Sequence, residues 1–138
     1  DNLLGQWLGY PSTTCVHQST CGQSLVTEAN GDVYTCDHFV YPEYKVGNLT
    51  QQPLTEIVLS NKQQQFGLEK SQKLTALCRH CEFRKLCYGG CPKHRFISLE
   101  NEPNPHNYLC ASYRYFFEQT APYMQAMARQ IRLHPSAA

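Results

Sequence analysis

The sequence predicts a small α+β domain stabilised by metal clusters, with one β-hairpin, short helices, an irregular cysteine-rich loop and a C-terminal helix. Three observations predict it. Eight of the 138 residues are cysteine, and they are grouped. Asn30-Gly31 separates two short β-prone runs. From about Asn107 to Leu133, apolar and aromatic side chains recur every three to four positions.

The elements follow in order. Residues 1–14 are an apolar and aromatic lead-in (Leu3, Leu4, Trp7, Leu8, Tyr10) that ends at Pro11. A loop carries Cys15 and Cys21. The runs 24–29 and 32–36 flank Asn30-Gly31, a dipeptide suited to a type I′ turn because both central positions need positive φ. The hairpin then delivers Cys36 at its far end, back near Cys21. Residues 37–52 read as loop. Pro53 suits the first turn of a helix over 54–59, and Asn61 suits the cap of a second helix to about Ser71. Residues 73–97, dense in Cys, Gly and basic side chains, read as irregular. The closing helix contains Pro122, which should kink it or start a new helix near Thr120. Residues 134–138 read as a frayed end.

Bulk numbers narrow the function. The net charge of +1 argues against a nucleic-acid partner. No apolar run approaches the roughly 20 residues that span a bilayer, and no signal-peptide pattern opens the chain. Hydrophobic content of 41% counts Cys and Tyr, so the aliphatic core is thin. An even cysteine count permits a secreted disulfide framework. In a reducing cytoplasm, clustered cysteines bind metal instead, and a cytoplasmic setting is expected here.

The cysteines form three groups: Cys15-x5-Cys21-x14-Cys36, then Cys78-x2-Cys81-x5-Cys87-x3-Cys91, then Cys110 alone. Thiolate is a soft ligand suited to zinc and to iron–sulfur clusters. Two partitions are open. Cys78, Cys81, Cys87 and Cys91 can form one local site, leaving Cys15, Cys21, Cys36 and Cys110 for another. Alternatively, Gly89-Gly90 turns Cys91 away and the fourth ligands are exchanged, as happens in two-cluster proteins. Between 79 and 95, Arg79, Arg84, Lys85, Lys93 and Arg95 with His80 and His94 face only Glu82. Such a basic surround offsets cluster charge, although a solvated basic loop has the same composition.

Cys21-x9-Gly31-x4-Cys36, the central cysteine group and Cys110 together resemble the seven-cysteine signature of the SPASM domain. That domain is the auxiliary-cluster extension of many radical S-adenosylmethionine enzymes. Cys15, Cys36-Asp37 and Cys87-Tyr88-Gly89-Gly90-Cys91-Pro92-Lys93 make the chain similar to the anaerobic sulfatase-maturating branch. The resemblance covers roughly residues 11–115. It implies two 4Fe–4S clusters in the exchanged partition: Cys15, Cys21, Cys36 and Cys91 on the first, Cys78, Cys81, Cys87 and Cys110 on the second. It implies that Asp37 accepts a proton when a sulfatase cysteine or serine is oxidised to formylglycine, and that the clusters accept the substrate electron.

The departure is the missing Cys-x3-Cys-x2-Cys motif that binds the S-adenosylmethionine-cleaving cluster. The reading is therefore a C-terminal piece of an oxidoreductase, not catalytically complete by itself, whose S-adenosylmethionine and catalytic barrel lie in a domain absent here. Its expected partners are that barrel and a sulfatase or other peptide. The expected organisation is a lead-in over 1–14, the two-cluster domain over 15–116, and a helix and tail over 117–138. Rival readings are a zinc-binding structural module, a disulfide domain, and a SPASM domain serving another peptide. His17 and His38, beside ligand cysteines, are weaker ligand candidates. Tyr108, Tyr113, Tyr115, Phe116 and Phe117 read as packing residues rather than a peptide groove. Trp7 and its neighbours read as an exposed apolar face.

Overall fold

The computed structural model describes residues 2–133. In chain order the elements are α1 (Asn2–Leu8), β1 (Val26–Thr27), β2 (Asp32–Tyr34), β3 (Lys45–Asn48), α2 (Leu54–Val58), α3 (Asn61–Gln72), α4 (Ala76–Arg79), α5 (Arg84–Cys87), β4 (Arg95–Ile97), β5 (His106–Asn107) and α6 (Cys110–Leu133). The small α+β class with a C-terminal helix is as expected. The chain divides into two compact units, one of residues 2–18 and 74–133 and one of residues 19–73. Among the described residues, no helix is long and apolar enough to cross a membrane.

The 19–73 unit is an antiparallel sheet in the order β1-β2-β3 with α2 and α3. Val26 pairs with Tyr34 and Thr27 with Val33, so the expected hairpin is present. Its turn differs from the expectation. The Gly31 amide donates to the Glu28 carbonyl, the Glu28 amide donates to the Asp32 carbonyl, and only Gly31 has positive φ (84°). This is a three-residue loop with a glycine bulge rather than a type I′ turn. Asn30 stays out of the left-handed region because its side chain bonds forward, accepting from the Asp32 amide at 3.0 Å. A third strand, β3, runs through what read as loop, pairing Val33 with Gly47 and Asp32 with Asn48. Val33 and Ile57 are fully buried. Gly47 is required beside them, since a Cβ there would lie 2.8 Å from Ile57 Cγ1. Ser60, not Asn61, caps α3, its hydroxyl accepting from the Gln63 amide.

In the other unit, Phe83, Leu86 and Phe117 form a core against which Leu3, Trp7, Tyr113, Cys81 and Cys87 pack. The lead-in is thus a helix, α1, with Leu3 and Trp7 turned inward rather than exposed. The α1 contacts run to α5 and α6, and Gln6 Nε2 donates to the Leu86 carbonyl at 3.1 Å. The 73–97 stretch holds α4, α5 and β4 rather than irregular chain alone. The closing helix begins at Cys110, not Asn107. Asn107 belongs to β5, paired with Arg95, and its Oδ1 accepts from the Leu109 amide at 2.8 Å. α6 runs on through Pro122 without a second start. The ring removes one amide, while the Thr120 hydroxyl donates to the Phe116 carbonyl at 2.8 Å. The expected frayed end lies outside the described residues.

Candidate metal centre

Four of the sequence-predicted ligands meet. Cys78, Cys81, Cys87 and Cys110 line one cavity of about 500 Å³, together with His80, Arg84, Tyr113 and Phe117. Cys91 is not on its lining.

Local structure places each thiol. Cys78 sits in the single turn α4. Its amide donates to the hydroxyl of the N-cap Thr75, and the Ala76 amide donates to Glu102 Oε1 at 2.6 Å. The Cys81 amide donates to the Cys78 carbonyl at 3.3 Å, so the x2 spacing folds back on itself. Cys87 ends α5, its amide donating to the Phe83 carbonyl at 3.1 Å. Cys110 opens α6.

After Cys87 come three consecutive left-handed residues, Tyr88 (φ 47°), Gly89 (72°) and Gly90 (63°). This run reverses the chain and carries Cys91 off the cavity. Glycine is needed at 89, where a Cβ would lie 2.5 Å from Leu74 Cδ2. Arg95 secures the reversal. Its guanidinium donates to the carbonyls of Tyr88 at 3.0 Å, Gly89 at 3.1 Å and Gly90 at 3.3 Å. Asn107 Nδ2 also donates to Gly89, at 2.9 Å.

Burial pushes the Cys87 thiol up to about 11, the Gly89 and Gly90 amides oppose this, and neighbouring Cys78 and Cys110 add to it. Burial raises Cys110 too, helped by Cys78 and Cys81 and opposed by Arg114. Thiolate ligation by these side chains calls for a cationic centre among them. Among the described residues, Cys36, Asp37 and His38 are the one group of three ligand side chains whose donor atoms lie within 4.8 Å of one another. Four soft thiolate donors lining one cavity fit a zinc ion or an iron–sulfur cluster.

The other predicted ligands divide between the units. Cys15, exposed, and Cys91, buried, belong to the first; Cys21 and Cys36, half-buried, belong to the second. Cys36 Sγ donates to Asp37 Oδ1 at 3.1 Å, and this bond holds the exposed Asp37 carboxyl below its ordinary value. The bond exists only while the sulfur keeps its proton. His38 Nε2 lies 4.0 Å from Asp37 Oδ2. His17 packs edge-on against Tyr113 and Phe117, at 5.6 and 6.2 Å between ring centres.

Of the expected basic surround, Arg84 and His80 reach the cavity. Arg95 is committed to the turn, and Arg79 donates to the Leu74 carbonyl. Sequence reasoning passed over Thr75, His106, Asn107 and Arg114. His106 is buried, with Nδ1 3.0 Å from Thr75 Oγ1 and 3.7 Å from Cys78 Sγ. A signal existed in His106-Asn107, two hydrogen-bonding residues just before the isolated Cys110.

Comparison with known proteins gives the family. Residues 15–82 match the SPASM family, an iron-sulfur cluster-binding domain. The chain is 44% identical over 132 residues to the serine-type anaerobic sulfatase-maturating enzyme of Bacteroides thetaiotaomicron, covering 95% of this chain and 32% of that protein. It is 35% identical to the cysteine-type enzyme of Clostridium perfringens, covering 96% of this chain and 35% of that one. A solved structure, native anSMEcpe with bound AdoMet and Kp18Cys peptide, superposes with a TM-score of 0.78 at 35% identity, covering 95% of this chain and 36% of that one. The chain thus spans about a third of the length of the curated relatives it matches.

Proposed function

Because this chain carries the SPASM iron–sulfur cluster-binding domain of the anaerobic sulfatase-maturating enzymes, we propose that it holds two auxiliary 4Fe–4S clusters that accept the substrate electron during formylglycine formation. The second cluster takes Cys78, Cys81, Cys87 and Cys110. What carries this reading is the convergence of these four thiols on one cavity, in a chain whose residues 15–82 match an iron-sulfur cluster-binding family. The first cluster takes Cys15, Cys21, Cys36 and Cys91. Family resemblance supports this set, as does the absence of Cys91 from the second site's lining.

Iron–sulfur clusters supply one-electron acceptance at a potential tuned by their surroundings. The protein residues supply the rest. Four thiolates per cluster leave no iron position open, so these sites move electrons and do not bind the reacting group. Phe83, Tyr113 and Phe117 supply the apolar part of the second site's lining. Asp37, exposed beside Cys36, is the proposed proton acceptor for the substrate. The substrate is a sulfatase peptide bearing cysteine or serine, and the barrel that cleaves S-adenosylmethionine is the proposed partner. A reducing cytoplasm suits eight thiols.

Metal analysis tests this directly. Protein prepared anaerobically should be brown, absorb near 400 nm and contain about eight iron and about eight sulfide per chain. A colourless protein carrying zinc would overturn it.

A further inference from the structure

Among the described residues, His106 is the one buried titratable side chain beside the second site that the cluster reading leaves without a role. It lies in β5, whose pairing with β4 and whose neighbour Asn107, bonded to Gly89, hold it in place. Its Nδ1 faces two atoms, Thr75 Oγ1 at 3.0 Å and Cys78 Sγ at 3.7 Å. Thr75 Oγ1 in turn accepts from the Cys78 amide at 3.3 Å. Thr75 and His106 therefore bracket Cys78 from its backbone and from its sulfur.

A metal-bound sulfur has no proton and can only accept. Nδ1 carries a hydrogen in the Nδ1–H tautomer and in the imidazolium, and that hydrogen is shared between Thr75 Oγ1 and Cys78 Sγ. A hydrogen bond to a ligand sulfur withdraws charge from the cluster and favours the more negative, reduced form.

Resting on the cluster reading above, we propose that His106 is a positioning residue of the second cluster: it donates Nδ1–H to Cys78 Sγ, fixes that sulfur and raises the cluster's reduction potential. The electron acceptor of this site is then set by one imidazole behind the ligand as well as by the four thiolates.

The test uses the full chain, purified anaerobically, as wild type, His106→Leu and His106→Asn. Leucine removes the donor, whereas the asparagine amide places an N–H close to where Nδ1 stands. Iron and sulfide are counted first, and each cluster is then titrated potentiometrically by electron paramagnetic resonance. The expected result is full iron in both variants. In His106→Leu, one of two titration waves moves to lower potential, by at least the 59 mV that makes a tenfold change in the ratio of reduced to oxidised cluster. The other wave stays in place, and His106→Asn recovers most of the shift.

Full iron with unmoved waves overturns the proposal, as does an equal shift in both variants. If His106→Leu alone loses iron, hyperfine spectroscopy decides. A histidine nitrogen coupling present in wild type and absent from His106→Asn supports the proposal, and no difference overturns it. Loss of iron from both variants assigns His106 to folding alone and also overturns it. Wild-type protein without iron would instead sink the cluster reading itself.

Discussion

Cys21 is fastened to α3 at Gly67. The Cys21 amide donates to the Gly67 carbonyl at 3.1 Å, and a Cβ on Gly67 would lie 2.7 Å from the Cys21 carbonyl oxygen. The glycine is there for space, because its backbone is ordinary helix and the obstructing atom is backbone that cannot swing aside.

Gly67→Ala should therefore displace Cys21. Helix propensity favours alanine by about 1 kcal/mol, but overpacking against fixed backbone costs about 1–3 kcal/mol. The net expectation is lower stability and loss of iron from the first cluster only. Iron analysis with thermal unfolding checks it; a more stable variant with full iron would remove Cys21–Gly67 packing from the account.

The exchanged ligand partition can be read from double variants. Cys78→Ala with Cys110→Ala should lose no more iron than either alone, about half, because both serve one cluster. Cys78→Ala with Cys91→Ala should lose nearly all. The local partition inverts both results, so iron per chain in the two doubles separates them.

Arg95 spends its guanidinium on three carbonyls of the left-handed run 88–90. Charged hydrogen bonds contribute about 1.5–3 kcal/mol each at most, and these three share one side chain. Arg95→Ala should cost about 3 kcal/mol, and Arg95→Lys, which loses the planar fork, should recover less than half. Urea unfolding of the anaerobic protein measures both.

Asp32 is held below the usual carboxylate range, first by its bond to Lys45, then by Asn48 and Asn30, with burial opposing. A depressed folded value means stability is fully present above the unfolded value of about 3.9 and is lost as pH falls through the folded one. Asp32→Asn should lower the protection of the hairpin amides at neutral pH and match wild type once the carboxylate is protonated. Amide hydrogen exchange of Glu28 across that range reports it; a difference that persists in acid would point to shape rather than charge.

The hairpin, the helix after Pro53 and the grouping of the central cysteines were legible because each is written in a short window. Strand β3 was not. Val46 is its one aliphatic residue, and its pairing partners lie more than ten positions away in β2. The turn at Asn30-Gly31 was half legible: the glycine was recognised, but Asn30's bond to the Asp32 amide decided the loop length. The start of α6 was placed three residues early because periodicity cannot see that Asn107 is committed to β5 and to the Leu109 amide. Of the second site, the thiols were legible and their supports were not. Thr75, His106 and Arg95 act through single hydrogen bonds that leave no periodic trace.

Cys110 is both a proposed ligand and the first residue of a 24-residue helix. Its amide end is the positive end of that helix, and it abuts a centre whose ligands bring negative charge. With the proposed ligand set, assembly of the cluster and growth of the helix share a nucleus. A chain starved of iron should present residues 110–133 as a protease-sensitive tail, so that the quality of the metal supply is written into how long the polypeptide survives.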